Sequence, residues 1–299
     1  MVLIPENVTL VYVIGAQKAG TSWLYHQFRD HTQIYVPPFK ELHFFDTVIE
    51  QKYRTAYLIK NTKVLSDWWH GRKNRLNIVS NDSNDFGPLI EYLDLCTRDN
   101  VYETDYLDFL AKKLNGESVV ADMTPDYSTL SPNIFKRMFA AHANIRFVFI
   151  MRDPIYRAWS QLNMLSKLKG DATIKDQKNF LYFSRTPGVA QCSNYERTIR
   201  NLESVVPKEK IFYTFYEYLF EEGTINKLYD FLDVQSAPSN FERKINTGEY
   251  SFPEVFYLQK VFQVYKPIYD FVFAKFGDCV PVSWRETVAT FEADQKRIS

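Results

Sequence analysis

Three groups of residues in this chain have the types and spacing to do chemistry. Gln17-Lys18-Ala19-Gly20-Thr21-Ser22 gathers a lysine and two hydroxyls around a glycine, and Arg152 stands just before Asp153-Pro154 with Ser160 seven residues after Asp153. A glycine lets the backbone come close to a ligand, free N–H groups at a helix start favour an anion, and arginine holds phosphate with two parallel N–H bonds. The third group, Lys40-Glu41-Leu42-His43-Phe44-Phe45-Asp46, offers a carboxylate and an imidazole as proton acceptors among aromatic side chains. The first loop departs from the nucleotide triphosphatase pattern GxxxxGK[ST], because its lysine lies two residues before Gly20 rather than after it. Lys18 is therefore not placed across the outer phosphates of ATP, and a shorter or different anhydride is expected.

These residues need strands that end where they stand and helices that begin there. Residues 10–14 are a short β-branched run of the kind a buried parallel strand uses, and 21–29 have the composition of a helix. Residues 147–151 repeat the arrangement: an apolar run stops at Arg152, Asp153 is a good N-cap, Pro154 suits the first helical position, and the helix should run to about Lys167. Ser160 then returns to nearly the face of the cap after two turns, so Arg152 and Ser160 can face one anion. Taken singly, each feature has a plainer reading: a solvated lysine in a glycine turn, an arginine paired with an acid, an ordinary helix serine.

Further strands are expected at 118–121 and 211–215, with helices near 103–115, 131–141, 191–204 and 223–233. An aromatic helix at 254–277 should be kinked by Pro267, and the polar tail after Glu286 should fray. Strands alternating with helices indicate an α/β fold, a P-loop-like parallel sheet with helices on both faces, whose ligands bind at the carboxyl ends of the strands. We expect one domain over 1–299, with an excursion at about 50–110 and a helical part at about 250–285.

Together the two junctions resemble the sulfotransferases that use 3′-phosphoadenosine 5′-phosphosulfate (PAPS), over about residues 8–250. The resemblance implies that the loop Gln17, Lys18, Ala19, Gly20, Thr21 and Ser22 holds the 5′-phosphosulfate and that Arg152 and Ser160 hold the 3′-phosphate. KELHFFD at 40–46 looks like the acceptor-side segment of glycosaminoglycan sulfotransferases and their bacterial relatives, and Thr124-Pro125-Asp126-Tyr127 occupies the place of their SPxY-type segment. Residues 193–219 are similar to a later helix-then-strand unit of those domains. Two departures concern the acceptor and the closing loop. Asp122-Met123 stands where the 3-O-sulfating enzymes have a lysine, and their disulfide-bearing carboxyl region is missing. Asn246, Thr247 and Gly248, in RKINTG, only loosely resemble the loop that closes over the nucleotide.

Sulfuryl transfer requires a base on the acceptor side and a cation on the departing phosphate. Lys18 fits the second role, with 3′,5′-adenosine bisphosphate as product and no metal required. For the base the resemblance favours Glu41, which Leu42, Phe44 and Phe45 would desolvate and make more basic, with His43 the other candidate. The five histidines are scattered, and no Cys/His spacing matches a zinc site. The implied acceptor is a hydroxyl or amine on a saccharide or other small molecule.

Equal numbers of basic and acidic residues, 36 each in 299, argue against a general nucleic-acid or membrane-surface binder. Charge is locally uneven: 52–75 hold seven Lys/Arg against Asp67 alone, and 80–108 hold eight Asp/Glu against Arg98 alone. Either these blocks pair with each other, or the basic block with Trp68, Trp69 and His70 meets an acidic sugar chain. Cys96, Cys192 and Cys279 are widely spaced, as in a reducing compartment, and no run reaches about 18 uncharged apolar residues, so a cytoplasmic protein is expected. Two other classes fit parts of the pattern. One is a P-loop kinase using magnesium-ATP, with Asp122 as its metal ligand; the other is a nucleotide-binding protein without catalysis.

Overall fold

The computed structural model describes residues 3–51, 54–69, 87–243 and 255–298. Strand β1 (Thr9–Gly15) is buried at every position and leads through a tight loop into α1 (Thr21–Arg29) and the short β2 (Ile34–Tyr35). A π-helical turn at Phe44–Ile49 precedes α2 (Arg54–Trp69), α3 (Gly87–Thr97) and α4 (Glu103–Ala111). Then come β3 (Val119–Asp122), a 3-10 turn at Pro125–Thr129, α5 (Pro132–Ala140), β4 (Ile145–Met151) and α6 (Pro154–Lys169). Three shorter helices, α7 (Gln177–Ser184), α8 (Pro187–Ser193) and α9 (Tyr195–Glu203), precede β5 (Ile211–Phe215). The chain continues in α10 (Glu222–Leu232), α11 (Val255–Phe276) and α12 (Val282–Ile298).

The five strands make one parallel sheet in the order β2-β3-β1-β4-β5, flanked by helices. β1 is central, with Thr9 to Tyr12 in register with Val119 to Asp122 of β3 and Leu10 to Val13 with Ile145 to Val148 of β4. Burial on both faces explains why β1, β3 and β4 read as continuous apolar runs rather than alternating ones. Their carboxyl ends bring the segments after Gly15, Asp122 and Met151 to one edge.

The helix expected near 103–115 stops at Ala111, and two larger departures from the sequence expectation have a visible cause. The helix expected over 191–204 is two helices, because Asn194 leaves helical geometry and its side chain accepts from Arg197 N at 3.0 Å, capping α9. The tail after Glu286 continues α12 to Ile298 instead of fraying at once: Trp284 and Phe291 are buried, and Phe291 packs 5.3 Å from the Phe262 ring on α11. Helix α11 runs through Pro267. Of the basic block, Arg54 donates to the carbonyl oxygens of Cys96 and Arg98. His70 and the side chains of Trp68 and Trp69 lie outside what is described.

Candidate active site

The loop after β1 is shaped by what crowds it. A Cβ on Gly15 would stand 2.8 Å from the Pro125 carbonyl oxygen, and one on Gly20 would stand 2.6 Å from Leu219 Cδ2. Gly20 also has φ 86°, a left-handed conformation that glycine adopts without steric cost. It precedes α1 without offering a side-chain cap, which leaves the helix start to other partners. Lys40 Nζ donates to Thr21 Oγ1 and to Ser22 Oγ, each at 3.0 Å. Lys18 runs the other way, its Nζ 3.7 Å from Met164 Sδ on α6. Burial, and next the Arg152 cation, lower the Lys18 pKa.

Arg152 directly follows β4 with its backbone fixed: the Tyr195 hydroxyl donates to its carbonyl oxygen at 2.5 Å and accepts from its N–H at 3.3 Å. Its guanidinium donates to the Lys18 carbonyl oxygen at 2.9 Å and lies 4.3 Å from the centre of the Tyr216 ring, a cation–π distance. Asp153 caps α6 as expected, accepting from Ile155 N and Tyr156 N and also from the Tyr269 hydroxyl of α11. Ser160 is half-buried on α6. Arg157, fully buried, donates to Ser193 Oγ, Gln161 Oε1 and the carbonyl oxygens of Val189 and Gln17, and so ties α6 and α8 to the loop.

The third group folds around Asp122, the last residue of β3. Its carboxylate accepts from the hydroxyls of Thr124, Tyr106 and Tyr127, and the Tyr127 oxygen in turn accepts from Phe44 N at 2.8 Å. Burial pushes Asp122 up to about 6 despite these donors. The network pins 42–45, and there His43 Nδ1 meets Asp46 Oδ2 at 2.7 Å while Nε2 faces Glu41 Oε2 at 3.3 Å and Asp126 Oδ2 at 3.7 Å. Gln17 of the loop donates to the other oxygen of Asp126 at 3.5 Å. Burial alone would lower the His43 pKa, but the carboxylates outweigh it and raise it well above the ordinary value.

Glu41 departs from the expectation of a desolvated, more basic carboxylate. Burial does push its pKa up, but the His43 hydrogen bond and the charges of Lys40 and His43 hold it well below the usual carboxylate range. Among the described residues five that are not glycine have positive φ, and three of them are Lys18, Glu41 and His43. Such strained backbone, on the order of 1 kcal/mol or more per residue, persists where the surroundings over-determine it, often at functional sites.

The sulfotransferase family profile matches residues 11–238, about three quarters of the chain. The chain belongs to the sulfotransferase family. Its fold is similar to a sulfotransferase from Alicyclobacillus acidocaldarius, at 17% identity and TM-score 0.61 over 95% of this chain and 100% of that one. It is also similar to the sulfotransferase domain of the Synechococcus PCC 7002 olefin synthase, at 12% identity and TM-score 0.51, covering 89% and 95%. A search of curated sequences gives no significant match.

In this sulfotransferase Gln17 to Ser22, Glu41, His43 and Arg152 come to one end of the sheet, whereas Asn246, Thr247 and Gly248 lie outside the described residues. Sequence reasoning missed Lys40 on the loop hydroxyls, Asp126 beside His43, Asp46 behind it and Arg157 beneath the loop. Only Asp46 carried a local signal, three residues from His43. The scatter of histidines is modified too: Glu41, His43 and Asp126 have potential ligating atoms all within 4.8 Å of one another. Asp122 is not the open metal ligand that a kinase would need, since both its oxygens are taken by hydroxyls and it has no exposure. Among the described residues no helix is long and apolar enough to cross a membrane.

Proposed function

We propose that this sulfotransferase moves the sulfuryl group of PAPS to an acceptor hydroxyl or amine, with Glu41 as proton acceptor and Lys18 on the departing phosphate. One continuous chain of contacts carries the reading: loop residue Gln17 to Asp126, Asp126 to His43, and His43 to Glu41. The proton-accepting group thus begins where the phosphate loop ends, the adjacency that in-line transfer demands. The donor set also suits the cofactor: lysine ammonium groups, loop hydroxyls and a helix start without a side-chain cap fit a phosphosulfate, while Arg152 and Ser160 fit a 3′-phosphate.

PAPS supplies an activated sulfuryl group, and the bond from acceptor oxygen or nitrogen to sulfur forms as the bond from sulfur to the phosphate oxygen breaks. Glu41 takes the acceptor proton, which becomes strongly acidic as that bond forms, so a carboxylate of low pKa is still competent. His43, oriented by Asp46, holds the Glu41 carboxylate in place. Lys18 and the α1 amino end stabilise the electron pair left on the phosphate. The acceptor is a saccharide or other small molecule, and no metal ion takes part.

The test is calorimetric titration with 3′,5′-adenosine bisphosphate and separately with magnesium-ATP, on the wild type and on Arg152→Ala. Tight bisphosphate binding that depends on Arg152, with weak ATP binding, is expected. Preference for magnesium-ATP would overturn the reading.

A further inference from the structure

Lys40 is one residue before the proposed base and nineteen after Thr21, yet it faces the loop rather than the acceptor side. Two of its three ammonium N–H groups go to Thr21 Oγ1 and Ser22 Oγ at 3.0 Å, and the third has no acceptor among the described residues. No carboxylate among those residues lies within salt-bridge distance of it. The nearest in sequence, Glu41, is turned to His43. Hydroxyl oxygens solvate an ammonium but do not neutralise it, and a partly buried cation whose nearest carboxylates stand beyond salt-bridge distance is only partly compensated. Burial, with the neighbouring Lys18 charge, pushes Lys40 down to about 8, and the Glu41 and Asp126 carboxylates offset only part of this.

A cation kept in that state at an uncapped helix start is a site waiting for an anion. The hydroxyls that hold Lys40 belong to the same loop turn as the α1 amino end, so whatever anion the helix receives must meet Lys40 as well. Lys18, by contrast, lies against Met164 and reaches the anion only by swinging away from it. Lys40 is thus the cation already at the hydroxyls, and Lys18 is the one that must move.

We infer that Lys40 is a second cation of the donor site, donating its free N–H to the 5′-phosphate end of the nucleotide at the Thr21 and Ser22 hydroxyls. This rests on the proposed PAPS site and names a residue of it. It makes the lysine at 40 part of donor binding, although it is adjacent to the acceptor-side carboxylate. The two functions share one short segment: Lys40 fixes one end to the loop and Glu41 presents the other to the acceptor.

The experiment compares two probes that differ only in the 5′-phosphate, 3′,5′-adenosine bisphosphate and adenosine 3′-monophosphate, by calorimetry on the wild type, Lys40→Met and Lys40→Gln. The inference expects Lys40→Met to weaken the bisphosphate about 10- to 100-fold, the range of a charge-assisted hydrogen bond, and to leave the monophosphate within about twofold. Lys40→Gln, which keeps donors without the charge, should behave the same way and covers the case in which Lys40→Met does not fold. Equal weakening of both probes would mean that Lys40 only shapes the loop, and no weakening of either would mean that it meets no phosphate; each overturns the inference while the PAPS reading stands. A wild type that prefers magnesium-ATP over the bisphosphate overturns both.

Discussion

His43 Nδ1 lies 2.7 Å from Asp46 Oδ2, and this contact turns the other ring nitrogen toward Glu41 and Asp126. One imidazole therefore stands among three carboxylates, and it is held by a backbone at φ 55° that π-helical residues 44–49 follow directly. The arrangement favours imidazolium, with both N–H groups donating, one to Asp46 and one to Glu41. A charged His43 in turn explains why Glu41 stays ionised despite its burial.

The linkage has a definite sign. Because the folded His43 pKa is raised above the unfolded value of about 6.5, its contribution to stability is fully present below that value and is lost as pH rises through the folded one. Urea unfolding of the wild type and His43→Gln at pH 6 and pH 9 should show a stability gap that narrows at the higher pH. A gap of constant size would mean that the folded imidazole is neutral.

Tyr127→Phe should destabilise the fold by about 1–3 kcal/mol, because it leaves Phe44 N without its acceptor and strips Asp122 of one of three donors in a buried setting. Asp122 sits near 6 with all three, so the loss of one should raise it further. Denaturant midpoints measure the first effect. Since Phe44 adjoins His43, acceptor turnover should fall more than bisphosphate affinity does.

Gly20→Ala places a methyl 2.6 Å from Leu219 Cδ2 and 3.2 Å from the Tyr216 ring while demanding φ 86° of a residue that avoids it. A loss of about 1–3 kcal/mol is expected, together with weaker bisphosphate binding, because Tyr216 is also the ring under Arg152. Thermal unfolding and calorimetry check the two parts. An alanine variant with wild-type values in both would show that the loop has room the contacts deny.

The sheet was legible because buried parallel strands write themselves as apolar runs, and 10–14, 147–151 and 211–215 fall inside β1, β4 and β5. The two strand-to-helix junctions were legible because their signals are local: glycine before Thr21, and Asp153-Pro154 with its observed cap. Local pattern fails where one residue answers to distant ones. Asn194 breaks an otherwise helical stretch by capping, and α12 persists because Trp284 and Phe291 find partners on other elements. The same limit hid half of the site. Nothing in the residues beside Lys40 points to Thr21, and only the tertiary fold brings the two together; Asp126, after β3, meets His43, after β2, because those two strands are neighbours in the sheet. The basicity of Glu41 was misjudged because Leu42, Phe44 and Phe45 are adjacent in sequence, whereas the imidazolium that lowers its pKa acts through space.

The choice between Glu41 and His43 as base can be made from a pH profile. Glu41 is held well below the usual carboxylate range, so a reaction that uses it needs no deprotonation anywhere above about pH 5, and kcat/KM should be level on the acid side from there to neutrality. His43 is raised well above its ordinary value, so a reaction that needs its neutral form should instead climb with pH through and beyond neutrality. With a screened acceptor and bisphosphate release as readout, the level profile is expected. Glu41→Gln should then lower kcat by about 100-fold or more while bisphosphate affinity stays near wild type, the signature of a group that acts on the acceptor proton alone. His43→Gln should cost less in kcat and should shift the acid limb upward, since Glu41 loses the hydrogen bond and charge that depress it. A rising wild-type profile, with Glu41→Gln nearly active, would move the base to His43 and leave Glu41 as the group that orients it.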